Sequence, residues 1–154
     1  MNNLICLILA GGFGTRLRSV VADVPKPLAP VAGKPFLYWL LKNLNRQGVK
    51  EVILSLHHQA ELIQEFLFSE TLDLEIQTVV EPEPLGTGGA LLNLKKVKIN
   101  DFVLTNGDTI FDIDIRSFIN SFKKNKIGCM ALSSNKKNTN NFKLNNLGLN
   151  KNII

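Results

Sequence analysis

Short apolar runs alternate along this chain with segments whose apolar residues recur every three or four positions. The runs are rich in leucine and β-branched residues, which predicts buried strands. These strands are Leu4–Leu9, Glu51–Leu56, Leu74–Val80, Phe102–Thr105 and Ile127–Leu132. Helices are predicted over Pro35–Gln47, His58–Phe68, Gly88–Lys96 and Asp114–Asn125. This alternation predicts an α/β fold with a mainly parallel sheet covered on both sides.

The overall composition predicts one globular domain spanning residues 1–154. The chain is 45% hydrophobic and 20% charged, which is typical of a folded domain with a substantial core. No apolar run approaches the length of a membrane span, and no signal peptide is recognisable. Cys6 and Cys129 lie in apolar segments, which is typical of free thiols in a reducing compartment. We therefore expect a cytoplasmic protein with no membrane partner, and leave open whether it forms a homo-oligomer.

The net charge of +5 arises in the last third of the chain. No acidic residue follows Ile115, whereas lysine and asparagine are frequent there. Because aromatic residues are sparse among these charges, with Phe118, Phe122 and Phe142 and no Tyr or Trp after Ile115, a nucleic-acid partner is not expected. Residues 133–154 are interpreted as an Asn/Lys-rich loop and a partial hairpin. The apolar ending, Ile153-Ile154, indicates a domain truncated at its C-terminus.

The end of the first strand carries a glycine-rich turn, Gly11 to Gly14, followed by Arg16. Glycines let backbone amides approach a polyphosphate, and an arginine can grip two phosphate oxygens. The turn is neither a dinucleotide-binding motif, because Leu17 occupies the last glycine position, nor a P-loop, because Thr15-Arg16 replaces Gly-Lys. Taken alone, the segment is explained equally well as a tight turn that needs glycine only for its backbone.

Two further charged residues are candidates for chemistry at strand ends. Lys26 stands between Pro25 and Pro27, which stiffen the backbone on both sides. Beside the glycine-rich turn we interpret it as a phosphate ligand, although an exposed loop lysine is the usual alternative. Asp108 follows a predicted strand and is suited to hold Mg²⁺. Its alternative role is to cap the next turn, which Asp112 and Asp114 are also placed to do.

The segment Glu81–Gly89 contains prolines that stiffen it and glycines that let its backbone approach a flat group such as a base. A plain surface loop is the alternative. His57 and His58 are adjacent and are interpreted as structural or solvent-facing rather than as ligands. Phe36, Tyr38 and Trp39 are expected to pack in the core rather than stack on a ligand.

These motifs, in this order, resemble those of the sugar-1-phosphate nucleotidyltransferases. The resemblance rests on Leu9–Leu17, Pro25–Pro27, Glu81–Gly89 and Asn106–Asp108. Within the family they look most like D-glycero-D-manno-heptose 1-phosphate guanylyltransferases. Mannose-1-phosphate guanylyltransferases and muramate-phosphate uridylyltransferases are similar enough to compete.

The resemblance implies a Rossmann-like three-layer sandwich, incomplete at its C-terminus. It implies transfer of a nucleotide from a nucleoside triphosphate, GTP, to a sugar 1-phosphate, with release of pyrophosphate. The product would be a precursor of surface polysaccharide. Family chains continue with a Glu-Lys pair and a second metal-binding Asp, so a catalytically inactive remnant that binds only nucleotide is the alternative.

The resemblance also implies a role for each matching residue. The nucleotide-binding residues would be Leu9, Ala10, Gly11, Gly12, Gly14, Thr15, Arg16, Glu81, Gly86 and Thr87. The residues near the sugar phosphate would be Lys26, Asn106 and Gly107. The catalytic charges would come from Arg16, Lys26 and Asp108, with Asp108 binding Mg²⁺ as the cofactor.

Overall fold

The computed structural model describes residues 4–13, 24–83, 86–93, 102–122, 128, 130 and 131. The chain divides into two compact units, Met1–Phe111 and Asp112–Ile154. In chain order the described elements are β1 (Ile5–Leu9), a 3-10 helix (Lys26–Leu28), β2 (Pro30–Val31), β3 (Lys34–Pro35), α1 (Phe36–Arg46), β4 (Glu51–Leu56), α2 (Ala60–Ser69), β5 (Glu75–Val80), α3 (Gly86–Asn93), β6 (Val103–Asn106) and α4 (Ile115–Asn120). The first unit holds every element except α4.

Four strands of the first unit form a parallel sheet in the order β5-β4-β1-β6. Ile5 pairs with Glu51 of β4, and Cys6 pairs with Val103 of β6, so β1 has a neighbour on each side. β4 pairs in turn with β5. The predicted α/β fold with a mainly parallel sheet is therefore confirmed.

The core lies on the two central strands and the apolar stripe of α1. Val52 to Leu54 of β4 and Cys6 to Ile8 of β1 are at most 1% exposed, as expected for strands covered on both faces. α1 contributes residues at helical spacing, namely Leu37, Leu40, Leu41 and Leu44. Burial raises the pKa of the Cys6 thiol to about 12, because a thiolate is poorly solvated among apolar side chains. The prediction of a buried thiol is confirmed for Cys6, whereas Cys129 lies outside the described residues.

A short antiparallel hairpin, β2–β3, precedes α1 and was not predicted. Its turn, Ala32-Gly33, has positive φ angles of 47° and 80°. The side chain of Trp39 in α1 donates an indole N–H hydrogen bond of 2.8 Å to the carbonyl of Val31 and is 38% exposed. The expectation that Trp39 packs in the core is therefore wrong, because its N–H pairs with the hairpin at the protein surface.

Several predicted boundaries differ from the observed ones. The last of the described strands, β6, extends to Asn106, because a parallel ladder uses backbone groups and accepts a polar side chain at its end. α1 begins at Phe36, after Pro35, and α3 begins at Gly86 rather than Gly88. α4 runs only from Ile115 to Asn120.

The end of the chain is largely outside the described part. Of the predicted strand Ile127–Leu132, only residues 128, 130 and 131 are described, and they have no regular secondary structure. The interpreted loop and hairpin of residues 133–154 lie outside the described residues. Within the described part of the chain, no helix has the length and apolar character needed to cross a membrane.

Candidate functional site

Backbone hydrogen bonds continue the sheet one residue beyond three of its strands. Ala10 N–H donates to the Ser55 carbonyl at 2.8 Å, and Gly107 N–H donates to the Leu9 carbonyl at 2.8 Å. Glu81 N–H donates to the Leu56 carbonyl at 2.7 Å. The three polar or glycine-rich segments predicted to follow β1, β5 and β6 therefore lie along one edge of the sheet, where parallel α/β sheets usually bind ligands.

Two glycines at this edge lie so close to neighbouring backbone that a side chain would not fit without movement. A Cβ atom on Gly107 would lie 3.0 Å from the Ala10 Cβ and 3.1 Å from the Leu9 carbonyl oxygen. A Cβ atom on Gly11 would lie 3.1 Å from both the Cβ and the backbone nitrogen of His57. Both positions are thus explained by close approach of strand ends. Ala10, at 3% exposed, is packed against Gly107 rather than open to a ligand through its side chain.

The edge also brings together Lys26 and Asp108, which are 82 residues apart along the chain. Lys26 opens the 3-10 helix after Pro25, where Leu28 N–H donates to the Pro25 carbonyl at 2.7 Å. The Lys26 ammonium donates a hydrogen bond to Oδ2 of Asp108, and the Thr109 hydroxyl donates to Oδ1 at 2.9 Å. The side chains of the ion pair are 35% and 29% exposed, so both remain in reach of solvent and of a bound anion.

The surroundings of Asp108 favour the charged carboxylate. Partial burial acts to raise the pKa of Asp108, but the hydrogen bonds from Lys26 and Thr109 and the positive charge of Lys26 outweigh it and hold the pKa below its ordinary value. The carboxylate is therefore ionised at neutral pH and can act as a ligand for a cation.

The chemistry of the Asp108 carboxylate fits a divalent cation such as magnesium. Within the described residues no group of three or more His, Cys, Asp or Glu side chains could hold a metal. Magnesium is commonly held by one or two carboxylates together with waters and substrate phosphates. A single half-buried carboxylate at a strand end is consistent with that chemistry.

Glu81 lies at the end of β5 and is 7% exposed. Its Oε1 accepts a hydrogen bond of 2.5 Å from the Ser55 hydroxyl, and its carbonyl lies 2.8 Å from Nδ1 of His57. Ser55 is itself 2% exposed. Neither Ser55 nor His57 was singled out from the sequence as part of a site. For Ser55 the available signal was a hydroxyl within the otherwise aliphatic run Val52–Leu56 of β4.

Phe13 lies over the two histidines that follow β4. Its ring centroid is 5.5 Å from that of His57 in an edge-to-face arrangement, and 5.3 Å from that of His58. Phe13 is 45% exposed, so this aromatic cluster forms part of the surface beside Gly12. The expectation that both histidines are structural or solvent-facing agrees with these contacts, but it did not include the tie between His57 and Glu81.

The segment predicted as a loop up to Gly89 is partly helical. Gly86, with a φ of +65°, begins α3. The first turn of this helix, Gly86, Thr87 and Gly88, is exposed. Amide groups of a first helical turn have no partner within the helix, so they can face an anion or a polar ligand. The roles assigned to Gly86 and Thr87 remain predictions. Gly14, Thr15 and Arg16 lie outside the described residues, so their assigned roles also remain predictions.

Comparison with known proteins agrees with this arrangement. The family described as nucleotidyl transferase matches residues 5–143 of the chain. The chain belongs to the nucleotidyl transferase family. The family resemblance inferred from the strand-end motifs is therefore confirmed.

Among curated members of the nucleotidyl transferase family, D-glycero-alpha-D-manno-heptose 1-phosphate guanylyltransferase of Campylobacter jejuni is 45% identical over 126 residues, which are 82% of this chain and 56% of the relative. Mannose-1-phosphate guanylyltransferase of Mycobacterium tuberculosis is 36% identical over 122 residues, which are 78% of this chain and 34% of the relative. Both are called guanylyltransferases, and their names differ in the sugar.

The crystal structure of HddC from Yersinia pseudotuberculosis complexed with GMP-PN superposes with a TM-score of 0.69 at 43% identity, covering 77% of this chain and 53% of HddC. This agreement confirms the Rossmann-like nucleotidyltransferase fold. This nucleotidyl transferase chain spans about half the length of the heptose-phosphate relative and of HddC.

Proposed function

We propose that this chain carries the nucleotide-binding part of an enzyme that joins GTP to D-glycero-D-manno-heptose 1-phosphate and releases pyrophosphate. The observation that carries the proposal is the meeting of Lys26 and Asp108 at the sheet edge beside Gly107. A cation and a carboxylate at this edge are the charges that a triphosphate and its metal need. The choice of base and sugar is supported by the heptose-phosphate relative and by the guanine nucleotide bound to HddC.

In the proposed reaction a phosphate oxygen of the sugar 1-phosphate attacks the α-phosphorus of GTP in line. The bond from the α-phosphorus to the bridging oxygen breaks, and pyrophosphate leaves with the electron pair. No protein nucleophile is needed, so the chain contributes by holding two anions that repel each other and by neutralising charge as it develops. Lys26 would contact phosphates of both substrates, and Arg16 would hold the triphosphate.

Asp108 would hold Mg²⁺, which when bound supplies positive charge to the phosphate oxygens. Lys26 and such a cation would compete for Oδ2 of Asp108, since Lys26 occupies that oxygen in the structure. Lys26 would therefore move from the carboxylate to the phosphates as the substrates bind. Because the side chains of the pair are about a third exposed, their separation costs about 1 kcal/mol or less, which phosphate contacts readily offset.

The remaining assignments follow from the same proposal. The backbone of Leu9 to Gly12 would line the base and ribose. Glu81, Gly86 and Thr87 would contact the base, and Asn106 and Gly107 would lie near the ribose or sugar. A nucleotide sugar made in the cytoplasm would serve as a precursor for surface polysaccharide. Mannose 1-phosphate is the second candidate for the sugar. It is suggested by the similarity to mannose-1-phosphate guanylyltransferase of Mycobacterium tuberculosis.

The test combines calorimetric titration of GTP with a pyrophosphate-release assay, using heptose 1-phosphate and mannose 1-phosphate in parallel. Lys26→Ala should reduce release at least about a hundredfold, as removal of a preorganised charge from a reacting site generally does. Lys50→Ala is the matched control. Lys50 is exposed, pairs with Asp73 and precedes the amino end of β4, whereas the candidate site lies at the carboxyl ends of the strands.

Each outcome has a definite meaning. Pyrophosphate release at the wild-type rate by Lys26→Ala would refute the role of Lys26. Binding of GTP without release by the wild-type chain would leave nucleotide binding as its function. If the chain does not bind GTP at all, the proposed function is wrong.

A further inference from the structure

We propose that Ser55 and His57, at the end of β4, are positioning residues that hold Glu81 as the element that selects the base. This inference rests on the proposed function, and it names two residues that the family motifs did not bring out. The observation behind it is that one strand end binds Glu81 twice, once through its carboxylate and once through its backbone.

The Ser55 hydroxyl fixes the carboxylate of Glu81. Ser55 is 2% exposed and donates to Oε1 at 2.5 Å, while its own carbonyl accepts the N–H of Ala10. A buried hydroxyl is costly unless it is hydrogen-bonded, so Ser55 is not a neutral filler in this apolar strand. It connects the Glu81 carboxylate to the segment that follows β1.

The imidazole of His57 fixes the backbone of Glu81. A carbonyl oxygen only accepts hydrogen bonds, so the 2.8 Å contact assigns the proton to Nδ1 of His57. The same ring packs nearly perpendicular to that of Phe13, and the His57 backbone lies directly against Gly11. His57 therefore sets the position of Glu81 relative to the glycine-rich turn. Glu81 and this turn are both proposed to hold the nucleoside.

The chemistry of a held carboxylate suits guanine. The carboxyl oxygens of Glu81 can accept hydrogen bonds. Guanine offers donors on its Watson–Crick edge, among them the exocyclic N2 amine, which hypoxanthine lacks. The proposed contact is a hydrogen bond from the N2 amine of guanine to the Glu81 carboxylate. Inosine triphosphate lacks this amine and is therefore the probe for that contact. A carboxylate that is free to turn away would lose this discrimination before it lost the phosphate contacts.

The experiment measures the GTP and inosine triphosphate affinities of the full chain by calorimetry, in wild type and variants. The wild-type chain should prefer GTP about tenfold or more, as expected for a hydrogen bond to a charged group. Ser55→Ala should bring the ratio close to one while affinity for inosine triphosphate changes little. Ser55→Thr, which keeps the hydroxyl in a strand-compatible residue, should restore the preference. Ser69→Ala, at an exposed serine of α2, should behave as wild type.

A second pair of variants isolates the contact of His57. His57→Ala should reduce the preference several-fold and speed hydrogen exchange of the Glu81 amide, because the carbonyl of that segment loses its donor. His57→Asn can place an amide N–H near the position of Nδ1 and should recover most of both properties. His58→Ala, which removes the other histidine beside Phe13, should leave the ratio unchanged.

The outcomes separate this inference from the proposed function. If the wild-type chain binds GTP and Ser55→Ala and His57→Ala keep the wild-type ratio, the inference is wrong and the proposed function is unaffected. If the wild-type chain binds GTP and inosine triphosphate equally, Glu81 does not select the base. If it binds neither nucleotide, the proposed function is overturned and the inference with it.

Discussion

The close approach of Gly107 to the end of β1 gives a prediction that can be worked from the structure. An alanine methyl group at this position would lie 3.0 Å from the Ala10 Cβ, 3.1 Å from the Leu9 carbonyl oxygen and 3.3 Å from the Ala10 Cα. Two of these three atoms belong to backbone and cannot rotate away. The same carbonyl accepts the N–H of Gly107 at 2.8 Å, so relief of the contact would lengthen a hydrogen bond that joins β6 to β1.

The expected cost of Gly107→Ala is about 1–2 kcal/mol of unfolding free energy. Overpacking of a close contact typically costs about 1–3 kcal/mol. Replacing glycine by alanine returns about 0.4–1 kcal/mol by reducing the freedom of the unfolded chain, where the native backbone permits it. The contact dominates because backbone atoms form it.

Urea unfolding followed by circular dichroism measures this effect. With a slope of about 2 kcal/mol per molar, the midpoint should fall by about 0.5–1 M. Gly12→Ala is the control, because a Cβ atom there has no heavy atom within 4 Å, so its midpoint should stay level or rise slightly. A Gly107→Ala midpoint at or above that of Gly12→Ala would show that the strand ends separate without cost, and the explanation of Gly107 by close approach would fail.

Three further predictions concern the helix cap, the buried thiol and the core. Ser117 N–H donates to the Asp114 carboxylate at 2.6 Å and lowers the pKa of Asp114, so this cap stabilises the fold above the unfolded pKa and loses that effect as pH falls through the lower, folded pKa. Asp114→Ala should remove this pH dependence from the urea midpoints, and an unchanged dependence would contradict the role of the cap. In a Cys129→Ser background, Cys6 should resist alkylation at pH 8 while folded, because burial excludes the reagent and raises the pKa of the thiol to about 12. It should react at once in urea, where that burial is lost, and rapid labelling of the folded chain would show that the thiol is accessible. Leu41→Ala should lose about 2–5 kcal/mol in the same unfolding assay, and a loss below about 1 kcal/mol would mean that α1 does not bury this side chain.

The central strands were predictable because both of their faces are buried. β1 and β4 are continuous apolar runs in the sequence, and the structure reproduces their bounds to within one residue. The hairpin β2–β3 was missed because its ladder is two residues long and includes Pro30 and Pro35, so no pattern of side chains marks it. The start of α3 was misplaced because Gly86 to Gly89 have poor helix propensity, and local preference alone would leave them in a loop.

The candidate site was predictable in its parts and not in its connections. Periodicity places Asp108 at a strand end, but it does not reveal that β6 lies beside β1, since strand order depends on crossovers distant in sequence. The pairing of Lys26 with Asp108 depends on that order. Ser55 and His57 escaped notice because a serine in a strand and a histidine after it are common residues whose importance depends on Glu81 lying opposite.

The strand order β5-β4-β1-β6 also bears on how the chain folds. The residues that pair between β1 and β4 are roughly 50 positions apart in sequence, and those that pair between β1 and β6 are roughly 100 apart. Bringing together the more distant pair costs more chain entropy. We therefore expect the β1–β4–β5 part to form first and β6 to dock last, carrying Asp108 to Lys26. During refolding, the ability to bind nucleotide should then appear after most of the secondary structure has returned.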